Sequence, residues 1–200
     1  MAEFKMSDLG MMHYFLGIEV AQSSTGIFIS QKKYVREILD RFQMKDCNHV
    51  KTPSEFGMKL KKDNGGKKVD DTLYKQIVGS LMYLTATRLD IMHAVSVISR
   101  IFRYLQGIKE FGLFYKNGEK SYLFGFTDSD YAGDLDDRKG TSGYVFMMGT
   151  GAVSWSSKKQ PIVTLSSTEA EFVAPIACAC QAIWLKKILK ELHFKEDGPT

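Results

Sequence analysis

Residues 122–130 read Tyr-Leu-Phe-Gly-Phe-Thr-Asp-Ser-Asp, an apolar run that ends in two acids. Side chains along a β-strand alternate between its two faces, so a strand here places Phe124, Phe126 and Asp128 on one face. A carboxylate in line with two phenylalanines is predicted to be partly desolvated, which is unfavourable unless a cation or hydrogen bonds compensate. In the other interpretation, Asp128 lies past the end of the strand and only caps the following turn.

Two more strands and a helix are predicted after this strand. Thr141–Met148 and Ala152–Ser157 flank the tight turn Gly149-Thr-Gly151, an arrangement typical of an antiparallel hairpin. Residues 163–194 are predicted to form one long helix. The last part of the chain is therefore expected to be an antiparallel three-stranded sheet with one long helix packed on it.

The start of that helix carries two glutamates in different settings. Ser166 and Glu169 have the spacing of a capping box, in which the serine accepts from the amide of residue 169 and the glutamate reaches back to the serine amide. Glu171 has no such structural role. Helical spacing places it above Pro175 and Cys178 on a largely apolar stripe, where a carboxylate is unusual. The first half of the helix is apolar almost all round, so periodicity leaves its orientation open.

The first half of the chain is predicted to combine a hairpin with helices. Apolar and β-branched runs at His13–Val20 and Gly26–Ser30 flank a polar turn, which indicates a β-hairpin. The apolar residues of Gln31–Phe42 recur at helical spacing, and residues 71–107 carry further helical stripes. Between these helices, Lys59–Asp70 is typical of an exposed loop or linker.

The composition limits the class of protein. Of 200 residues, 44% are hydrophobic and 25% charged, which is typical of globular proteins and excludes wholesale disorder. No apolar run approaches the roughly 18 residues of a membrane helix, and the N-terminus has no secretory pattern. Cys47, Cys178 and Cys180 cannot form a disulfide framework and lack zinc-site spacing. We therefore expect an intracellular protein with no membrane partner.

The net charge of +4 is unevenly distributed along the chain. Residues 51–68 carry six lysines against two acids, whereas residues 128–137 carry five aspartates and no basic residue. Such a pattern suits a protein that handles polyanions through metal ions. A solvated lysine loop and an unrelated acidic turn would give the same pattern.

Several motifs occur together along the chain and carry a family resemblance. The downstream motifs are Phe124-Gly-Phe-Thr-Asp-Ser-Asp-Tyr-Ala-Gly-Asp134, Asp137-Arg-Lys-Gly-Thr-Ser-Gly-Tyr144, Ala152-Val-Ser-Trp-Ser-Ser-Lys-Lys-Gln160 and Leu165-Ser-Ser-Thr-Glu-Ala-Glu171. Upstream motifs are Met6-Ser-Asp-Leu-Gly10, Tyr14-Phe-Leu-Gly-Ile-Glu19 and Val78-Gly-Ser-Leu-Met-Tyr-Leu-Thr-Ala-Thr-Arg88. The first set resembles the ribonuclease H domain of copia-type LTR retrotransposon Pol polyproteins, and the second set resembles the region that follows the polymerase palm in the same proteins.

The resemblance implies an α+β fold in three parts. Residues 1–54 would be a C-terminal remnant of a reverse transcriptase, with a hairpin and a helix. Residues 55–116 would be a linker and a helical connector. Residues 117–200 would be the N-terminal half of a ribonuclease H-like domain, a partial fold with three antiparallel strands and one long helix.

The resemblance also implies a catalytic site and its ligands. Ribonuclease H-like domains hold two divalent ions, Mg²⁺ or Mn²⁺, between carboxylates and cleave the RNA strand of an RNA–DNA hybrid. By the family pattern, the catalytic, metal-binding aspartate of the first strand is Asp128 and the glutamate of the helix is Glu171. Asp130 and Asp134 match motif positions, but we assign them no ion and expect them to be solvated turn acids.

Departures from the family pattern lead us to expect a truncated and inactive copy. The polymerase motif Tyr-x-Asp-Asp is absent from the sequence. The third catalytic aspartate of the family would lie beyond Thr200, and two carboxylates alone should bind Mg²⁺ weakly. A segment that the family carries between Arg100 and Ile101 is missing, and Leu89 replaces a proline. Pro175 lies inside the last helix, where a proline costs about 3 kcal/mol.

Three functional hypotheses are compatible with the sequence. The first is ribonuclease H activity. The second is a non-catalytic nucleic-acid-binding or Pol-associating module, for which the lysines are a weak signal, namely Lys59, Lys61, Lys62, Lys67, Lys68, Lys158 and Lys159. The third is a product without a selected role. An exposed sheet edge and an uncovered helix face would also favour association with other chains.

Overall fold

A computed structural model describes residues 10–54, 70–92, 98–118 and 122–194. These residues form a mixed fold of α-helices and antiparallel β-sheets. The strands are β1 (Tyr14–Phe15), β2 (Ile18–Ser23), β3 (Gly26–Ser30), β4 (Gly112–Lys116), β5 (Leu123–Ser129), β6 (Thr141–Met148) and β7 (Gly151–Lys159). The helices are α1 (Lys32–Arg41), α2 (Asp71–Leu84), α3 (Ile98–Gly107) and α4 (Ser167–Glu191), with a 3-10 turn at Leu89–Ile91.

The first sheet confirms the predicted hairpin in part: the run predicted as one strand is divided into β1 and β2, which pair with each other, and a strand from much later in the chain is added. Its order is β1-β2-β3-β4, and every neighbouring pair is antiparallel. The β2–β3 ladder runs to the pair Ser23↔Gly26, so the turn is two residues long rather than the five predicted. β4 pairs with β3 along its whole length, from Gly26↔Lys116 to Ser30↔Gly112. This long-range pairing closes the connector back onto the hairpin.

A helical core forms beside this sheet, as the helical spacing predicted. α1 buries Val35, Ile38 and Leu39, and α2 buries Leu81 and Leu84. The remaining buried apolar members of the core come from the 3-10 turn and α3, namely Ile91, Ile101, Phe102, Tyr104 and Leu105. Since a fully buried Leu or Ile side chain contributes about 1.5–3 kcal/mol, this core is the main stabilising element of the first half.

Two polar networks are embedded in this core. The Arg88 guanidinium, only 3% exposed, donates to both carboxylate oxygens of Asp90 at 2.9 and 2.6 Å. The Tyr104 hydroxyl donates to the same carboxylate at 2.8 Å, and burial together with the Asp90 charge raises the pKa of Tyr104 to about 12. Separately, Thr87 donates to the buried side chain of Gln31 at 2.8 Å. The networks fix the turn after α2 against α1 and α3.

The second sheet, of order β5-β6-β7, matches the three-stranded antiparallel sheet predicted for the last part of the chain. Its β7 edge is attached to the first half by two hydrogen bonds. The Tyr115 hydroxyl donates to the carbonyl of Ala152 at 2.6 Å, and the Trp155 indole donates to the carbonyl of Thr85 at 2.9 Å. Within the described residues, the opposite edge strand, β5, pairs with β6 alone.

Helix α4 covers one face of the second sheet and contacts β5 and β6. Gln181 of α4 donates to Ser154 at 3.0 Å, and the register places Ser154 on the same face as the buried Phe146. Gln160, also buried, donates to the carbonyl of Ala170 at 3.1 Å. The face of the sheet that carries Phe146 is therefore the one that α4 covers.

By length and composition, α4 is the one helix among the described residues that could cross a membrane. The expectation that no segment would reach this length relied on uninterrupted apolar runs, and isolated polar residues such as Gln181 interrupt this one. Only 11% of its most apolar window is buried. Most of the apolar surface of α4 therefore faces outward among the described residues.

Candidate functional site

Asp128 lies within β5, one residue before its end, so the interpretation that it only caps the following turn is wrong. It pairs with Gly143 of β6, and alternation places it with Phe126 on the face opposite α4. The predicted desolvation is also wrong. Phe124 and Phe126 are 53% and 58% exposed, and the Asp128 residue is exposed as well.

The Asp128 side of the sheet borders a shallow cleft of about 250 Å³. Phe126, Val145 and Trp155 form a cross-strand row in its floor. Leu89 and Met92, from the turn after α2, line its other side. The cleft is mostly apolar, and Asp128 is its carboxylate. Sequence reasoning missed Leu89, Met92 and Trp155 as neighbours of Asp128, although Trp155 belongs to one of the quoted motifs.

Glu171 lies near the start of α4 and is exposed. The expectation that it sits on a core-facing stripe is wrong, because the buried residues of this helix are Ala170 and Ala174. One residue is 100° around a helix, so Glu171 falls on the flank of the buried side. Its carboxylate makes no hydrogen bond or ion pair within the part of the chain that the structure describes.

The capping box is present in a modified form. The Ser166 hydroxyl accepts from the amide of Glu169 at 3.1 Å, as predicted. The Glu169 carboxylate accepts from the amide of Leu165 at 2.6 Å rather than from the amide of Ser166. Both arrangements satisfy free amides at the helix start. Glu169 therefore has a structural role, which leaves Glu171 as the glutamate available for chemistry.

Pro175 lies inside α4, as the sequence predicted, and it is exposed. A proline has no amide proton, so the carbonyl four residues earlier, that of Glu171, loses its helical donor. The backbone turn that carries the Glu171 side chain is therefore one hydrogen bond weaker than an ordinary helical turn.

The carboxylates do not make a complete site for a divalent ion. Among the described residues there is no group of three or more His, Cys, Asp or Glu side chains that could hold a metal. Asp128 and Glu171 come from opposite sides of the sheet layer, and both are exposed. Mg²⁺ takes six oxygen ligands, of which one or two are usually protein carboxylates and the rest water and substrate phosphates, so a pair of ions needs about two to four carboxylates held close together. This donor set does not fit a site for two Mg²⁺ or Mn²⁺ ions.

The acidic turn after β5 is held by a lysine and by backbone amides. Asp134 accepts from Lys159 at 2.5 Å and from the amides of residues 136 and 137, and these bonds lower its pKa to about 2. Lys159 also pairs with Asp137 at 2.8 Å. Asp130 accepts from the amide of Thr141. Asp130 and Asp134 lie in the turn as expected, but they are half-buried and hydrogen-bonded rather than solvated, and they order the turn.

The lysines proposed to bind nucleic acid fall into three groups. Lys59, Lys61, Lys62, Lys67 and Lys68 lie outside the described residues. Lys159 is occupied by Asp134 and Asp137, a pairing that sequence reasoning missed. Lys158 is exposed and points to the other face of β7.

Comparison with known proteins gives a consistent set of relatives. The family described as "Reverse transcriptase (RNA-dependent DNA polymerase)" matches residues 1–56. The "Retrovirus-related Pol polyprotein from transposon RE1" of Arabidopsis thaliana is 39% identical over 98% of this chain and 14% of its own length. The corresponding protein "from transposon TNT 1-94" of Nicotiana tabacum is 40% identical over 96% of this chain and 16% of its own length.

A shorter relative matches over most of its own length. An uncharacterized mitochondrial protein of Arabidopsis thaliana is 37% identical over 90% of this chain and 81% of its own length. No solved structure matches the chain. The chain spans about one-seventh of the length of the RE1 polyprotein.

Proposed function

Because this chain belongs to the copia-type, retrovirus-related Pol polyproteins of transposons, we propose that β5, β6, β7 and α4 form the N-terminal half of a ribonuclease H-like domain. The activity of such a domain is metal-dependent cleavage of the RNA strand of an RNA–DNA hybrid during reverse transcription. The order of the elements supports the assignment. An aspartate, Asp128, lies near the end of the first strand, and a glutamate, Glu171, lies in the second turn of the helix that packs on the sheet.

We further propose that the chain by itself does not cleave the hybrid. The observation that carries this proposal is the donor set, two exposed carboxylates with no third ligand among the described residues. Two divalent ions about 4 Å apart carry four positive charges, and two carboxylates leave half of that charge uncompensated. A site that includes both Asp128 and Glu171 then needs carboxylates from other residues or another chain, and a closer approach of the two than their positions on opposite sides of the sheet give.

A cleavage assay tests this proposal. Purified chain is incubated with an RNA–DNA hybrid labelled on the RNA strand, with Mg²⁺ or with Mn²⁺, beside the variants Asp128→Asn and Glu171→Gln. We expect no cleavage above background. Metal-dependent cleavage that disappears in both variants would overturn the proposed inactivity and would support both residues as catalytic. Cleavage that survives in both variants would come from a contaminating nuclease. The assay would then be repeated on repurified chain, to test whether the chain itself cleaves the hybrid.

Binding of nucleic acid without cleavage is the second candidate function. The exposed Lys158 supports it, together with the lysines of residues 59–68. Phosphate contacts by lysine release counterions, so affinity for an RNA–DNA hybrid should fall steeply as salt rises. Neutralising Lys59, Lys61, Lys62, Lys67 and Lys68 should weaken binding to all sequences about equally. No binding at low salt would remove this candidate and favour a product without a selected role.

The free edge of β5 is the described sheet edge best placed to receive another strand. An unpaired edge presents a row of backbone donors and acceptors, and Asp128 lies on it. We propose that a strand of the remaining Pol polyprotein, or of a partner chain, associates here.

A further inference from the structure

The outward face of α4 is apolar over about three turns. Phe172, Ile176 and Ile183 are 73%, 66% and 58% exposed, and Ala179 between them is also exposed. Ala170 and Ala174, which face the sheet, lie on the opposite side of the helix. No described part of the chain covers this face. An exposed apolar stripe of this size indicates an interaction surface.

The spacing of these residues is that of a coiled-coil seam. Phe172, Ile176, Ala179 and Ile183 follow one another at intervals of four, three and four residues. At 100° per residue they fall within about 60° around the helix axis. Alternating intervals of four and three residues are the pattern with which helices pack against each other in coiled coils, with knobs-into-holes contacts. The preferred partner of this face is therefore another helix.

The same spacing is symmetric about its own midpoint. That midpoint lies between Ile176 and Ala179, with Phe172 and Ile183 equally far on either side. If a second α4 is laid antiparallel about this point, each Phe172 meets Ile183 of the other helix, and each Ile176 meets Ala179. A self-complementary surface of this kind is what a two-fold interface between identical chains requires.

The charges at the two ends of the seam obey the same symmetry. One step beyond Phe172 is Glu169, and one step beyond Ile183 is Lys186. Antiparallel pairing places each Glu169 next to Lys186 of the other helix. Lys187 and Lys190 extend the basic end, so a parallel pairing would bring like charges together. The charge pattern therefore selects the antiparallel arrangement.

We propose that the outward face of α4 binds the same face of a second copy of this chain, as an antiparallel two-fold helix pair. The seam from Glu169 to Lys186 is about 26 Å long at 1.5 Å per residue. Near its centre, Ala179 offers a small side chain opposite Ile176, which allows the two helices to approach closely. The interface is independent of the proposed ribonuclease site, since Asp128 lies on the other face of the sheet.

The first test is the mass of the chain in solution, measured by sedimentation or by light scattering during gel filtration. We expect a dimer, and we expect Ile176→Asp to raise the dimer dissociation constant at least about tenfold. Leu165→Asp is the matched control, because Leu165 is 87% exposed but lies outside the seam. Circular dichroism shows whether each variant keeps its helices. A monomer at high concentration, or an equal effect of both substitutions, would overturn the proposal.

A charge exchange gives a sharper test. Because Glu169→Lys also removes the carboxylate that accepts from the amide of Leu165, circular dichroism of each variant first checks that α4 is intact. Lys186→Glu places two glutamates at each end of a dimer, and Glu169→Lys places two lysines there, so each variant alone should dimerise at least about tenfold more weakly. In a mixture of the two, every end pairs a glutamate with a lysine. We expect the mixture to form the mixed dimer, and failure of the mixture to associate would overturn the antiparallel arrangement.

A lipid-binding experiment distinguishes dimer formation through this face from binding of the face to a membrane. The chain is mixed with vesicles of phosphatidylcholine, and co-sedimentation is measured for the chain and for Ile176→Asp. We expect no binding, since the dimer covers the apolar face. Vesicle binding by a monomeric chain that Ile176→Asp abolishes would assign the face to a membrane and overturn the dimer.

Discussion

The ion pair between Arg88 and Asp90 allows the sharpest stability prediction, for the substitution Asp90→Ala. The Arg88 side chain is 3% exposed and would lose two charge-assisted hydrogen bonds, while the Tyr104 hydroxyl would lose its acceptor. Removing one partner of a buried pair costs about 3–5 kcal/mol because the other charge remains buried. The Asp90 side chain is 35% exposed, so water can reach the vacated site, and we expect about 3 kcal/mol.

Thermal unfolding followed by circular dichroism measures this loss. For a chain of this size, about 3 kcal/mol corresponds to a fall in Tm of about 6–12 °C. Glu37→Ala, an exposed acid on α1, is the control and should change stability by less than about 0.5 kcal/mol. Replacing both partners, Arg88→Met with Asp90→Ala, should cost less than Asp90→Ala alone. If Asp90→Ala unfolds at the same temperature as the original chain, then Asp90 does not hold the buried guanidinium.

Three further predictions concern the second half of the chain. The pKa of Asp134 is about 2, below its value in the unfolded chain, so the pairing of Asp134 with Lys159 should persist above pH 4 and be lost as pH falls through 2. The carboxyl chemical shift of Asp134 followed against pH measures this pKa. A pKa near 4 would contradict the prediction. Pro175→Ala should restore the helical donor to the Glu171 carbonyl and raise the free energy of unfolding by up to about 3 kcal/mol. Urea unfolding measures this, and an unchanged midpoint concentration of urea would contradict it. Trp155→Phe removes the indole donor to the Thr85 carbonyl and should lower the free energy of unfolding by about 1 kcal/mol. Thermal unfolding followed by circular dichroism measures this, and an unchanged Tm would contradict it.

Local sequence signals predicted the elements of the second sheet well. The alternation of residues 122–130 and the turn at residues 149–151 predicted β5 and the β6–β7 hairpin. The helix was predicted over residues 163–194, whereas α4 is Ser167–Glu191; the capping-box spacing alone marked its true start at Ser166. These features depend on neighbours in the chain, so the sequence carries them directly. The partner of the Glu169 carboxylate was wrong by one residue, because the amides of Leu165 and Ser166 are both within reach of that side chain.

Features that depend on distant contacts were not predictable in the same way. β4 pairs with β3 across about eighty-six residues of chain, and the sequence of Gly112–Lys116 does not indicate which strand it pairs with. Asp128 was predicted to be partly desolvated on an apolar face, and the orientation of Glu171 on its apolar stripe was left open; both residues are exposed. Alternation and helical spacing show which residues share a face, but tertiary packing decides which faces are buried.

The way the second sheet is attached explains why its candidate site is open. Trp155 and Tyr115 fix the β7 edge to the helical half of the molecule, and α4 covers one face of β5 and β6. The strand left with a free edge is β5, the one that carries Asp128. A segment that supplied further carboxylates would therefore approach along the outer edge of β5, which pairs with no other strand among the described residues. A strand added there would extend the sheet, bring its side chains next to Asp128 and leave the outward face of α4 free for a second copy.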